Sequence, residues 1–152
     1  MNTIIASNRP FPDRKITNPQ ELNNTIGLEY GGLVLDYIFF PFWSWKVPKE
    51  IVDNYICIGF HMTDLPFGRG GQPYENLRFR GIWDTKISAF RLTDKWDEGD
   101  IYLKRDFRIS DTKEKTIEDA KEVIVEMIDY IVQNKPTPIP QAGEVTTFKR
   151  LC

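Results

Sequence analysis

The sequence predicts an α/β domain whose sheet is mainly parallel and carries antiparallel additions. Two observations predict it. Strand-like and helix-like segments alternate over the front of the chain, and more strand-rich sequence follows behind. Near the C-terminal end, Ile117, Ala120, Ile124, Met127, Ile128 and Ile131 repeat at helical spacing, which predicts an amphipathic helix over 116–132.

The elements follow in order. Thr3 to Ala6 reads as a short buried strand, and Ser7 to Asp13, with Pro10 and Pro12, as a turn region. Asn18-Pro19-Gln20-Glu21 places an N-cap before a proline at the first helical position, and Gly31-Gly32 ends that helix. Tyr37 to Phe40 is a second strand, stopped by Pro41. Pro48 to Val52 makes one or two helical turns, and Tyr55 to Phe60 a third strand. A helix runs from near Gln72 to about Arg80. Thr85 to Leu92 and Ile101 to Leu103 alternate as strands. Thr116 with Asp119 resembles a capping arrangement at the start of the long helix. Pro136, Pro138 and Pro140 then force an extended tail, and Glu144 to Leu151 reads as an edge strand.

The 152 residues suit one domain, residues 1–152, with a real core. A net charge of −2 argues against a large basic surface, so nucleic acid is not the expected partner. No apolar run approaches the roughly 20 residues of a membrane span. The start of the chain lacks the basic and long apolar regions of a signal peptide. The two cysteines, Cys57 and Cys152, do not suggest a disulfide framework, which fits a reducing, cytoplasmic setting. Cys57 reads as a small core residue rather than a nucleophile.

The stretch Phe60-His61-Met62-Thr63-Asp64-Leu65-Pro66-Phe67-Gly68-Arg69-Gly70-Gly71 concentrates the chemistry. It holds the single histidine, at the end of an apolar strand, followed by a Pro/Gly-rich loop with one arginine. Imidazole moves protons near neutral pH, and loop amides can stabilise an oxyanion. Acyl transfer to an amine needs both.

In order along the chain stand Phe39-Phe40-Pro41-Phe42-Trp43-Ser44-Trp45, then His61-Met62-Thr63-Asp64-Leu65-Pro66 with Arg69-Gly70-Gly71, then Asp97-Glu98-Gly99-Asp100-Ile101-Tyr102. This series resembles the formyltransferase family that uses 10-formyltetrahydrofolate, from about Tyr37 through Tyr102. The family includes methionyl-tRNA formyltransferase and the sugar N-formyltransferases. The resemblance implies a Rossmann-like domain, here shortened at its N-terminus. It implies His61 and Asp97 as catalytic groups, and 10-formyltetrahydrofolate as co-substrate, with no metal. Phe39, Phe40, Pro41, Phe42, Trp43 and Asp100 would bind the pterin. Thr63, Arg69 and Gly70 would lie on the acceptor side. The implied acceptor is a small amine, foremost a nucleotide-linked amino sugar; the charge balance adds no nucleic acid, and the lack of a long apolar run no membrane. The family's asparagine, two residues before the histidine, is replaced by Gly59. Loop amides of Gly68–Gly71, Thr63 or a water would then take over its task. Because little chain precedes the second strand, a small sheet with an open edge leaves room for a homodimer.

Plainer readings stand beside these. Asp97 in Asp-Glu-Gly suits a turn, Trp43 and Trp45 suit core as well as a ligand wall, and Arg69 suits a surface ion pair. A non-catalytic folate or sugar-nucleotide binder is the alternative function. A metal-dependent hydrolase using His61, Asp64, Asp84 and Asp97 is a further class, thinly supported by one histidine.

Overall fold

The computed structural model describes residues 2–28 and 34–151. Its elements run β1 (Thr3–Ile5), α1 (Pro19–Leu28), β2 (Tyr37–Phe40), α2 (Lys49–Asn54), β3 (Cys57–His61), α3 (Pro73–Phe79), β4 (Asp84–Arg91), β5 (Ile101–Arg108) and α4 (Lys113–Asn134). One sheet takes the strands in chain order, β1-β2-β3-β4-β5. The β1–β2 and β2–β3 pairs are parallel, and the β3–β4 and β4–β5 pairs are antiparallel. This is the expected α/β architecture with its antiparallel additions. The expected end of the first helix at Gly31-Gly32 lies outside the described residues.

Alternation along the strands sorts side chains into two main cores, with a small third group at Leu65, Phe90 and Ile101. Phe39 and Ile58 face one core, with Ile87, Ala89 and Phe107, and α4 covers it through Ala120, Ile124, Met127, Ile128 and Ile131. Ile4, Ile38, Phe40 and Cys57 face the other, covered by Leu22 and Ile26 of α1 and Ile51 and Val52 of α2. Both parallel crossovers therefore run over one face, and α4 seals the opposite one. Ile131 is fully buried. Its replacement by alanine costs about 2–5 kcal/mol by leaving a cavity against the sheet.

Caps explain the helix starts. The side chain of Asn18 accepts from the Glu21 amide at 2.9 Å, the expected N-cap of α1. The long helix begins earlier than its apolar spacing suggests, because Thr112 is its N-cap, accepting from the Lys115 amide at 3.2 Å. Thr116 is buried in the first turns, with its hydroxyl donating to the Thr112 carbonyl at 2.9 Å. The Thr116–Asp119 cap is thus corrected by one helical turn.

The tail also differs from expectation. Residues 144–151 form no sheet-edge strand, and only an isolated parallel bridge joins Thr147 to Arg69. The edges of the sheet are met in part by the chain itself. Ser7 and Ile16 share a backbone hydrogen bond beside β1, and Ile139 bridges Ile101 of β5. Among the described residues, no helix is long and apolar enough to cross a membrane.

Candidate active site

The carboxyl ends of the parallel strands bring three segments to one side of the sheet: Ser7 and Asn8 after β1, Pro41 to Trp45 after β2, and His61 at the end of β3. Crevices at such ends are where α/β sheets hold ligands. The period of two puts Cys57, Gly59 and His61 on one face of β3, toward α1 and α2.

His61 is held by the loop that follows it. Its Nε2 lies 2.8 Å from the Gly68 carbonyl, and Thr63 Oγ1 donates to the same oxygen at 3.3 Å. A carbonyl has no proton to give, so Nε2 carries the hydrogen and, in the neutral ring, Nδ1 holds the lone pair. The antiparallel strands brace the loop from below. Ser88 Oγ donates to the Thr63 carbonyl at 2.7 Å, and Lys104 Nζ reaches Asp64 Oδ1 at 2.5 Å and the Leu65 carbonyl at 2.7 Å. From above, the tail zips onto it. The Gly68 amide donates to Thr146 Oγ1 at 2.7 Å, the Arg69 amide to the Thr146 carbonyl at 2.9 Å, and the Phe148 amide to the Arg69 carbonyl at 2.6 Å. Gly68 has φ 71°, and a Cβ there would meet Phe148 and Thr63 side-chain atoms at 2.8 Å, so the turn requires glycine.

The two residues expected to act together do meet. Asp97 Oδ2 lies 3.9 Å from His61 Nε2, inside coulombic reach and outside hydrogen-bond reach. Both side chains are nearly enclosed, at 10% and 12% exposure, which strengthens any charge interaction between them. The same Oδ2 accepts from the Gly70 amide at 2.8 Å. Asp97 sits at φ 55°, a left-handed conformation that costs a non-glycine residue about 1–3 kcal/mol. Two residues on, Gly99 is buried where a Cβ would come within 1.7 Å of the Arg91 carbonyl oxygen. The loop carrying Asp97 therefore presses directly on β4, and only glycine fits at that contact.

Sequence reasoning missed Gln141. Its Nε2 donates to the Asp97 carbonyl at 2.8 Å and the Gly99 carbonyl at 2.9 Å, while its Oε1 accepts from Arg69 Nη2 at 2.8 Å and Nε at 3.2 Å. Ser88, Lys104 and Thr146 were missed as well. None carries a periodic signal; each is a single polar residue far along the chain from its partner.

The remaining expected residues divide. Thr63 is fully buried and has no surface to offer a ligand, so it holds the loop rather than touching a substrate. Of the loop amides expected to replace the missing asparagine, those of Gly68, Arg69 and Gly70 are taken up internally. Among the described residues, the Gly71 amide alone of these four has no acceptor, and space is open around its Cα. Phe39 and Phe40 are core residues on opposite faces of the sheet, and Pro41 is buried. Surface remains on Phe42 and Trp43, with Trp45 edge-on to Trp43 at 5.1 Å and 41% exposed. Asp100 is exposed, and its carbonyl accepts from the Arg91 amide at 2.8 Å. Trp96, beside Asp97, is 58% exposed and was not singled out by its sequence. Leu92 lies over Gly59: a Cβ there would approach Leu92 Cδ2 to 2.8 Å. Leucine thus fills the space that an asparagine side chain would occupy.

Burial pushes the Cys57 thiol up to about 12, so it is not a nucleophile at neutral pH. Asp64 and Asp84 are ion-paired to Lys104 and Arg108. Among the described residues, no three His, Cys, Asp or Glu side chains converge as metal ligands do. A cavity of about 660 Å³ opens beside Trp83, Arg108 and Lys115, and none of its lining residues belongs to the His61 site.

Known proteins supply the context. No family model matches the chain. Methionyl-tRNA formyltransferase of Bacillus cytotoxicus is 29% identical over 142 residues, 88% of this chain and 44% of that protein. The corresponding protein of Thermodesulfovibrio yellowstonii is 32% identical over 113 residues, 69% of this chain and 37% of its own length. The chain thus spans less than half the length of these curated relatives. Among solved structures, methionyl-tRNA formyltransferase from Clostridium thermocellum superimposes with a TM-score of 0.82 at 39% identity, covering 100% of this chain and 73% of that one. The formyltransferase PseJ from Anoxybacillus kamchatkensis, solved with a UDP-linked formamido sugar and tetrahydrofolate, shares the fold at TM-score 0.65 and 14% identity, covering 97% of this chain and 85% of that one. On the 39% identity shared across its full length, the chain belongs to the formyltransferase family that contains the methionyl-tRNA formyltransferases.

Proposed function

We propose that residues 1–152 work as one catalytic domain, which transfers a formyl group from 10-formyltetrahydrofolate to an amine, in the cytoplasm and without a metal. The observation that carries this reading is the enclosed His61–Asp97 pair, 3.9 Å apart, with His61 at the end of the strand next to the one that leads into a partly open aromatic segment. Two unpaired polar atoms support placing the donor at that segment. Trp43 Nε1 is buried without a hydrogen-bond partner, as is Asn8 Oδ1 at the neighbouring strand end, so a donor and an acceptor wait for polar atoms. Phe42, Trp43 and the backbone from Pro41 onward would hold the folate. Bound there, 10-formyltetrahydrofolate supplies a formyl carbon open to attack by an amine.

The chain's own residues then do three things. His61 would take the proton shed by the attacking amine at Nδ1, the nitrogen left with a lone pair, and return it to the folate nitrogen as the bond from that nitrogen to the formyl carbon breaks and tetrahydrofolate leaves. The imidazolium so formed lies between the Gly68 carbonyl and the Asp97 carboxylate, both of which stabilise its charge. Negative charge developing on the formyl oxygen meets fewer donors than in an asparagine-bearing site, with the Gly71 amide the open one. Losing one such donor typically raises the barrier by about 3 kcal/mol, on the order of a hundredfold in rate.

Two acceptors compete. A nucleotide-linked amino sugar is supported by the motif series and by the fold shared with sugar N-formyltransferases such as PseJ. Methionyl-tRNA is favoured by the 39% identity to the Clostridium enzyme. In either case Arg69, its guanidinium aimed by Gln141, would meet an acceptor's phosphate or carboxylate, with Gly70 lining the same side. The alternative of a folate binder without turnover rests on Gly59. Incubation with 10-formyltetrahydrofolate and either a panel of amino-sugar nucleotides or methionyl-tRNA, read by mass, separates them. Formyl addition to a sugar or to the methionine amine names the acceptor. Folate binding with no formylated product from any acceptor supports the binder.

A further inference from the structure

We infer that Gln141 is a positioning residue for the His61–Asp97 pair, clamping the Asp97 loop to the Arg69 loop from outside both. The inference concerns a residue in the proline-rich tail, away in sequence from every motif of the site. It deepens the formyl-transfer reading and, as a statement about what holds Asp97, it can be tested without that reading.

The geometry is specific. One amide nitrogen spans the Asp97 and Gly99 carbonyls at 2.8 Å and 2.9 Å, while the amide oxygen accepts twice from the Arg69 guanidinium. Both N–H groups and the carbonyl oxygen of the side chain are in use, and only an amide offers donors and an acceptor together at this length. The carbonyls it grips are that of the left-handed residue Asp97 itself and that of Gly99 two residues on; without that grip the turn would relax toward ordinary backbone angles and carry the carboxylate away from His61. The tail is itself fixed on either side of Gln141. Ile139 pairs with Ile101 through two backbone hydrogen bonds, and Thr146 is tied to Pro66, Gly68 and Arg69. Gln141 is thus presented from a braced segment. Its other end sets the guanidinium of Arg69 on the acceptor side, so one side chain fixes the distance between the proton-handling and acceptor-facing parts of the site.

Two variants and the single histidine make the test. Gln141→Met keeps the length and loses every hydrogen bond. Gln141→Glu keeps an acceptor for Arg69 and turns an oxygen toward the two carbonyls. In both, the Gly70 amide, which donates to Asp97 Oδ2, should exchange with solvent at least about tenfold faster than in the wild type. The His61 ring signal in a proton–nitrogen spectrum at fixed pH should move, while the α4 amides of Ile124 and Met127 keep their protection. With formyl transfer running, kcat should fall at least about tenfold and the folate KM change less than threefold, with Gln141→Glu no better than Gln141→Met. Unchanged Gly70 exchange and an unmoved His61 signal would overturn the inference. So would a general loss of α4 protection, which makes Gln141 an ordinary stabilising residue, or wild-type behaviour of Gln141→Glu, which confines its role to Arg69. Absence of transfer by the wild type strikes only the functional reading, and the exchange and ring signals then decide the positioning role alone.

Discussion

Restoring an asparagine at position 59 tests how this site manages without one. A Cβ at Gly59 meets Leu92 Cδ2 at 2.8 Å, Leu92 Cγ at 3.3 Å and Phe90 Cζ at 3.3 Å. Ordinary carbon contacts lie at roughly 3.5–4.0 Å, so Leu92 has to swing aside. Overpacking of this kind costs about 1–3 kcal/mol. Removing a glycine from a strand interior returns about 0.5–1 kcal/mol. The net loss of up to about 2.5 kcal/mol lowers Tm by up to roughly 10 °C in a chain of this length. Against that, a new side-chain donor to the developing oxyanion is worth about 3 kcal/mol of barrier. Gly59→Asn alone should therefore be less stable and only modestly faster, because its amide is displaced by Leu92. Adding Leu92→Ala frees the space, and the double variant should transfer formyl on the order of ten- to a hundredfold faster than the wild type. Tetrahydrofolate release followed by absorbance, with Tm measured in parallel, reads both effects. A folded double variant no faster than the wild type would refute the idea that a donor is missing, and would show a site rebuilt around glycine.

Other outcomes follow from the same geometry. His61→Ala and Asp97→Asn should each lower formyl transfer at least about a hundredfold while far-UV circular dichroism stays native; near wild-type turnover in either contradicts the assignment. Gly99→Ala forces a Cβ onto the Arg91 carbonyl, so transfer should fall at least about tenfold; an unaffected rate would mean that the loop position is irrelevant to activity. Cys57 is protonated in the folded chain up to about 12, whereas an unfolded thiol ionises from about pH 9. The unfolded state then binds fewer protons than the native one, so stability should fall as pH rises above about 9, by about 1.4 kcal/mol per unit from this group. Urea unfolding of the wild type and Cys57→Ala at pH 8 to pH 10, as chosen test conditions spanning about two units, should show the steeper loss in the wild type, and parallel slopes would count against it.

Much of this was legible in the residues, and the reasons differ by element. β2 lies at Tyr37–Phe40 as expected, because an apolar run stopped by Pro41 leaves little freedom in its bounds. α4 was evident from its apolar stripe, but its start was not. Thr112 caps it through a side-chain bond that periodicity does not register. The edge strand expected over 144–151 failed because its polar backbone found a different partner, the loop at Pro66 to Arg69. The proximity of His61 and Asp97 was accessible only through the ordered motif series, since spacing alone does not bring residues 36 positions apart together. The supports around them, Gln141, Ser88, Lys104 and Thr146, were not legible. Long-range hydrogen bonds from isolated polar side chains leave no pattern until the chain is folded.

The central claim, that this chain moves a formyl group through His61, is tested most directly by one comparison of amine-dependent tetrahydrofolate formation from 10-formyltetrahydrofolate. The wild type should form it only when an amine acceptor is present, and His61→Ala should form none above background. Equal rates in the two proteins, or tight folate binding with no product from sugar nucleotides or methionyl-tRNA, would contradict the account.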